Sequence, residues 1–190
     1  MTLEFNDITH TYTYAGVVVP SVTQVLKANR LFDTTFMTDE GRDRGTDVAT
    51  LTAVCDRGDL SDATRIPESY VGYLDAWCRF EAESELQTVY IEEPLHCDVY
   101  RFAGTPDRIV IWNGVRWVLD IKTGQPMPHY PLQTAAYQHL DGEAFRRACV
   151  YINADGTYKV QEHKDLGDIS VFLAALAMHN WRANNGVNND

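Results

Sequence analysis

This sequence predicts a mixed α/β domain, an α-β-β-β-α-β core with a mixed sheet of the α+β kind. Three observations predict it. A long helical periodicity lies between Glu68 and Glu85, three strand-like runs follow, the last two joined by Asn113-Gly114, and a helix-strand pair comes next. An N-terminal hairpin with helices precedes this core and a C-terminal helix follows it.

The elements are read in chain order. Leu3 to Ser21 reads as a hairpin, with β-formers at His10 to Tyr14, a turn at Ala15-Gly16, and Val17-Val-Val19 leading to Pro20. Ser21 is placed as an N-cap for a short helix with Val22, Val25 and Leu26 on one face. Asn29 to Glu40 reads as a loop or broken helix, and Arg42 to Val54 as a helix closed by the turn Asp56-Arg-Gly-Asp-Leu60. In the long helix Tyr70, Val71, Leu74, Trp77, Cys78 and Phe80 recur at helical spacing. Strands are expected at Val89 to Leu95, Arg108 to Trp112 and Val115 to Ile121, where Asn-Gly is the strongest short hairpin signal in the chain. A helix at Tyr130 to Leu140, strands at Ala148 to Ile152 and Tyr158 to Gln161 around Asp155-Gly156, and a helix at Ile169 to Arg182 complete the pattern.

The 190 residues, 45% of them hydrophobic, suffice for one core, so residues 1–183 are assigned to a single domain and 184–190 to a flexible tail. No basic segment followed by an apolar run opens the chain and no membrane-length apolar stretch occurs, so a soluble, cytoplasmic protein without a membrane partner is expected. Cys55, Cys78, Cys97 and Cys149 form no C-x-x-C pair, which argues against a zinc ribbon and for buried free thiols. A net charge of −11 excludes coating nucleic acid by charge alone. Bound metal and a few arginines in one groove are compatible with that charge, but binding to DNA should then be weak and salt-sensitive.

The chemistry concentrates in Phe102 to Gly124. Asp107 opens one strand and Asp120 closes the next, so an antiparallel hairpin brings the two ends together. Asp120 and Lys122 share a strand face, with Ile121 on the other. Convergent carboxylates repel and raise each other's pKa, and a divalent metal resolves this. Mg²⁺ takes one or two carboxylates plus water and phosphate oxygens, where it can polarise a phosphodiester and activate water. Lys122 would hold that water or stabilise charge on the phosphate. An isolated D-x-K is more often a surface ion pair, but here Gln133 and Tyr137, four apart on one helix face, can point at the same place.

Ala103-Gly-Thr-Pro-Asp107, Asp120-Ile-Lys122-Thr-Gly124 and Gln133-Thr-Ala-Ala-Tyr137 resemble the G-x-x-D, D-x-K and Q-x-x-x-Y motifs of the RecB-like branch of the PD-(D/E)XK nuclease superfamily. Pro20 to Leu26 and Arg44-Gly-Thr-Asp-Val48 resemble that branch's P-S-V-T-x-V-L and R-G-T-x-V-H stretches, in the same order. The resemblance implies a restriction-endonuclease-like fold and Mg²⁺- or Mn²⁺-dependent hydrolysis of DNA, single-stranded or from duplex ends, in recombination, repair or replication. It implies catalytic roles for Asp107, Asp120, Lys122, Gln133 and Tyr137. The metal ligands would be Asp107, Asp120 and the carbonyl of Ile121. A phage-encoded exonuclease in a bacterial host, with a recombination or replication protein as partner, fits the resemblance and the small size.

The sequence departs from the branch at Ala49, where a metal-ligating histidine is usual, and only Cys149 lies beyond the Q-x-x-x-Y helix, so no iron-sulfur cluster is expected. Glu93 is a candidate additional ligand, and Arg42, Arg44, Thr123 and His129 are candidate DNA contacts. Trp77, Trp112, Trp117 and Tyr130 are read either as core or as base-stacking residues, the core being commoner. The missing histidine and acidic charge leave a second reading open, a weakened nuclease fold serving as a DNA-binding or protein-interaction module.

Overall fold

The computed structural model describes residues 2–32, 38–59 and 66–187. Its centre is a five-stranded mixed sheet in the order β10-β9-β8-β7-β4, formed by β4 (Gln87–Ile91), β7 (Arg108–Trp112), β8 (Val115–Lys122), β9 (Arg146–Ile152) and β10 (Tyr158–Glu162). Only β8 and β9 run parallel, and α4 (Tyr130–Asp141) makes the crossover between them. One face of the sheet carries α1 (Val22–Ala28), α4 and α5 (Asp168–Asn184), with Leu26, Ile109, Val118, Ala136 and Phe172 at its core. Against the other lie α2 (Asp39–Asp56) and α3 (Glu68–Ser84), joined through Val48, Trp77, Phe80, Leu119 and Val150. Residues alternate across β8 accordingly: Trp117, Leu119 and Ile121 serve the second core and Val118 the first.

The expected core is present as α3-β4-β7-β8-α4-β9. Asn113 and Gly114 turn the β7-β8 hairpin with φ of 51° and 74°, the pair of positive values that a type I′ turn requires. Ser21 caps α1 with a reciprocal capping box to Gln24, as its position before an apolar helix predicts. Three features differ from the sequence reading. The N-terminal hairpin gains a third strand, since β1 (Leu3–Asn6) pairs with β2 (Thr11–Tyr14), which pairs with β3 (Val17–Val19). The strand expected at Val89 to Leu95 breaks at Glu92, whose φ is 50°, and the chain resumes as β5 (Leu95–Cys97) paired with β6 (Phe102–Gly104). Polar ends also extend helices whose apolar periodicity is shorter, as when α2, capped by Thr38, begins at Asp39, three residues before the expected start. Parts of the loop at Asn29 to Glu40, the turn ending at Leu60 and the tail after residue 187 lie outside the described residues.

The four cysteines are free, as expected, but only Cys149 is buried. Cys55 and Cys78 lie 3.5 Å apart at sulfur, because α2 and α3 pack side by side. Trp77 and Trp117 are core residues, which decides the choice left open for them. Among the described residues no helix is long and apolar enough to cross a membrane.

The position of α3 on the sheet depends on Gly72. A Cβ there would fall 1.8 Å from the carbonyl oxygen of Ala154 in the β9-β10 turn, backbone that cannot rotate aside. Gly72→Ala should therefore lower stability by about 1–3 kcal/mol, as overpacking does, despite the better helix propensity of alanine. A chemical denaturation midpoint equal to that of the unsubstituted protein would contradict this contact.

Candidate active site

The hairpin register sets the site. Arg108 pairs with Leu119, so the chain one step further out brings Asp107 beside Asp120 at the end of the sheet. The Oδ2 of Asp107 accepts the backbone N–H of Ile121 at 2.6 Å, which fixes that carboxylate across the two strand ends. Asp120 is 1% exposed, and its Oδ2 lies 2.6 Å from the Nζ of Lys122, two residues on and on the same strand face. Ile121 faces the opposite core, as alternation requires. The parallel strand β9 sets Cys149 next to Asp120, and its thiol donates to Oδ2 at 3.7 Å.

Helix α4 completes the arrangement from one side. Lys122 Nζ donates to Oε1 of Gln133 at 3.4 Å, and Gln133 Nε2 donates to the hydroxyl of Tyr137 at 3.1 Å. Lys122 also stands 4.5 Å from the ring centre of Tyr130, a cation–π contact. The helix has no side-chain N-cap, and Arg147 fastens its first turn instead. The guanidinium donates to the carbonyl of Pro131 at 2.8 Å and pairs with Asp168 at 2.7 Å, so β9, α4 and α5 meet on one buried cation.

The site's electrostatics follow from crowding. Burial and the neighbouring Asp120 carboxylate push Asp107 up to about 7, against the pull of Lys122, the Ile121 N–H and Arg108. Burial disfavours the charged form of Lys122, but Asp120 and Asp107 outweigh it and hold its pKa above the ordinary lysine value. Tyr137 is raised by burial and by Asp120, so it remains a neutral hydroxyl.

These groups open onto a cavity of about 740 Å³, lined by Asp107, Asp120, Ile121, Lys122 and Gln133 from one side and by the α2 residues Arg42, Arg44, Gly45 and Ala49 from another. Thr123, Tyr130 and Glu92 also line it. The cavity wall thus contains the candidates Arg42, Arg44 and Thr123. It includes Glu92 and not Glu93, the candidate additional ligand: β4 ends at Ile91 and the chain turns at Glu92, whose φ is 50°. His129 does not reach the cavity: it is 1% exposed, stacked on Phe32 with ring centres 4.1 Å apart and edge-on to Tyr130. Tyr137 belongs to the site through Gln133, not through the wall of this cavity.

Sequence reasoning missed Arg108 and Asp56. Arg108 is fully buried between the sheet and α2, paired with Asp56, 3.2 Å from the Thr52 hydroxyl, and donating to the carbonyl of Asp107 at 2.6 Å. It ties the end of α2 to the backbone of the site. A charged residue directly ahead of the apolar run Ile109-Val-Ile111, in the same strand, was the available signal, since arginine is seldom fully buried without a partner.

The donor set suits a hard cation. Among the described residues no group of three or more His, Cys, Asp or Glu side chains converges, so two carboxylates and peptide oxygen are what the protein offers beside Lys122. That set fits an ion which fills its shell with water and substrate oxygen, and not a zinc centre with four protein ligands. Two carboxylates and a lysine thus stand at adjacent strand ends of a mixed sheet, facing one cavity. The sequence model of the PD-(D/E)XK nuclease superfamily matches residues 23–174, and the chain belongs to that superfamily. The fold is similar to that of LHK-Exo crystallised with dAMP, at 16% identity over 89% of each chain with a TM-score of 0.52. A second structure of that protein, an alkaline exonuclease from Laribacter hongkongensis, aligns at 19% identity over 87% of this chain and 91% of the other, with a TM-score of 0.43. No curated protein sequence gives a significant match.

The raised Asp107 makes metal-free stability fall with pH. Its folded pKa of about 7 exceeds the ordinary 3.8. The folded state therefore binds the extra proton, and stability is lost as pH rises through about 7. Glu81, which is pushed up to about 7 by burial and by Asp56, acts in the same direction. In EDTA, Asp107→Asn should flatten part of the decline in urea midpoint between about pH 4 and 7. An unchanged slope would show that burial and Asp120 do not raise the Asp107 carboxyl.

Proposed function

We propose that this chain is a DNA nuclease dependent on Mg²⁺ or Mn²⁺, an exonuclease working on single strands or duplex ends, with residues 1–183 as its one nuclease domain. The observation that carries this reading is the convergence of Asp107, Asp120 and Lys122 on the wall of one cavity, backed by the Gln133–Tyr137 pair. Asp107, Asp120 and the Ile121 carbonyl would hold the metal. When bound, the metal supplies a Lewis acid that polarises the phosphodiester and lowers the pKa of water. Lys122 places a fixed positive charge where the phosphate gains negative charge, and Gln133 and Tyr137 hold its side chain in that direction. Arg42, Arg44 and Thr123 line the approach and suit backbone phosphates of the substrate strand. Work in recombination, repair or replication, alongside a protein of one of those processes, follows from the same reading, as does a phage source and the cytoplasm of a bacterial host. The net charge of −11 leaves affinity dependent on the metal and on low salt.

Labelled single- and double-stranded oligonucleotides incubated with Mg²⁺, Mn²⁺ or EDTA test this directly. Hydrolysis should require the metal, and Lys122→Ala should reduce kcat by about 10²–10³-fold, as removal of one preorganised charge does, with Asp120→Asn losing at least as much. Cleavage by both variants at the unsubstituted rate would overturn the assignment.

Ala49 favours a second reading, a nuclease fold weakened in metal affinity that serves in DNA or protein binding. Residue 49 lines the same cavity as the carboxylates but has no donor atom. With so few protein ligands, metal dependence in roughly the millimolar range is expected. Ala49→His should tighten Mn²⁺ more than Mg²⁺, because imidazole suits transition metals. Calorimetry giving equal Mn²⁺ affinities for the two proteins would remove residue 49 from the metal's surroundings.

A further inference from the structure

The N-terminal sheet lies outside the α-β-β-β-α-β core, yet it is fastened against the active site. Ser21 bridges to Ala103, and the Tyr12 hydroxyl lies 2.7 Å from Thr105 Oγ1, two residues before Asp107. The register pairs Phe5 with Tyr12, and their rings stack with centres 4.5 Å apart on the sheet face turned toward the domain. Between that face, α1 and the strand end lies a second cavity of about 430 Å³. Its aromatic lining is Phe5, His10 and Tyr12, and Lys27 and Gln24 of α1 supply polar groups. Its remaining wall includes Thr105 and Tyr137. Thr23 lines both this cavity and the catalytic one, so the two adjoin along the Tyr137–Gln133 side of α4.

This composition has a chemical meaning. A pocket in the size range of small-molecule sites, walled by aromatic rings and bordered by a cation, suits a flat π system attached to an anion. Nonspecific binding of single strands combines those two elements, with aromatic rings stacking bases and basic groups following the phosphates. A duplex could not use such a site, because its bases are already stacked on each other.

We propose that the cavity under the N-terminal sheet is a nucleobase subsite. In it one unpaired base of the substrate strand, next to the nucleotide at the catalytic cavity, stacks against Phe5 and His10 while Lys27 faces its phosphate. The subsite rests on the nuclease reading, and it narrows the substrate to DNA that is single-stranded, or frayed, beside the cleaved bond. His10 is exposed and sits at the end of the β1-β2 turn, so its replacement tests the subsite without disturbing a core.

The test uses the full chain at low salt with Mg²⁺ and a short single strand carrying 2-aminopurine, whose fluorescence is quenched by stacking, placed at each position in turn. Quenching confined to one position near the cleaved end, and lost in His10→Ala and Phe5→Leu, is the expected result. Both variants should raise KM about tenfold on an ordinary strand, within the range seen when a stacking residue is removed. The defect should shrink on a strand with an abasic site at that position. Quenching equal in variants and unsubstituted protein would overturn the subsite, and so would a KM defect of the same size on the abasic strand. Thermal melts of His10→Ala establish that the fold is intact, should Phe5→Leu prove unstable. If no strand is cleaved with any metal, the nuclease reading fails, while position-specific quenching would still establish the subsite.

Discussion

Two carboxylates held side by side at a half-dry strand end repel each other, and the structure around them is arranged to keep them there. Asp107 cannot move away because the N–H of Ile121 holds its side chain and Arg108 holds its carbonyl. Asp120 cannot move away because Lys122 and Cys149 flank it. The cost of this confinement, burial first and the neighbouring carboxylate second, appears as the raised Asp107 pKa. Sites that must be strained before they work are a common reason for marginal stability.

Much of this was legible in the sequence because it is local. The β7-β8 hairpin follows from Asn113-Gly114 between apolar runs, and once it exists Asp107 and Asp120 must meet. The D-x-K spacing puts Lys122 beside Asp120, and four-residue spacing puts Gln133 beside Tyr137. Relations between distant segments were hidden. Nothing near Asp56 announces that it pairs with Arg108, and the Cys55–Cys78 approach depends on how α2 lies against α3. Glu92 rather than the candidate Glu93 lines the cavity, at a left-handed residue just past β4 that the strand-like sequence does not announce. The place of His129 was hidden for a different reason: a histidine before a helix looks exposed, and its burial rests on ring contacts with the distant Phe32.

The polar cations inside the molecule divide into two kinds. Arg108 and Arg147 are buried with their acidic partners and serve as joints between elements, Arg108 between α2 and the sheet and Arg147 among β9, α4 and α5. Loss of either partner would strand an unpaired charge in the interior, which is far costlier than loss of an exposed ion pair. Arg42 and Arg44 line the open cavity instead, Arg42 paired with the exposed Asp39 and Arg44 placed over the ring of Tyr73. The cations of this acidic protein are thus divided by depth, the buried ones serving as joints and the exposed ones bordering the cavity.

The residues of the candidate site come from one stretch, Asp107 to Tyr137, whereas the opposite wall comes from α2, far upstream in the chain. This separation gives the two halves different evolutionary freedom. A change in the hairpin-helix stretch alters several groups that hold one another, so single replacements there are seldom neutral. The α2 wall touches the carboxylate centre through the Arg108 joint and can exchange residues facing the cavity one at a time. Ala49 lies in that replaceable wall. A replacement at a cavity-facing position of α2 can therefore reshape the cavity without breaking the bonds that hold the hairpin and α4 together.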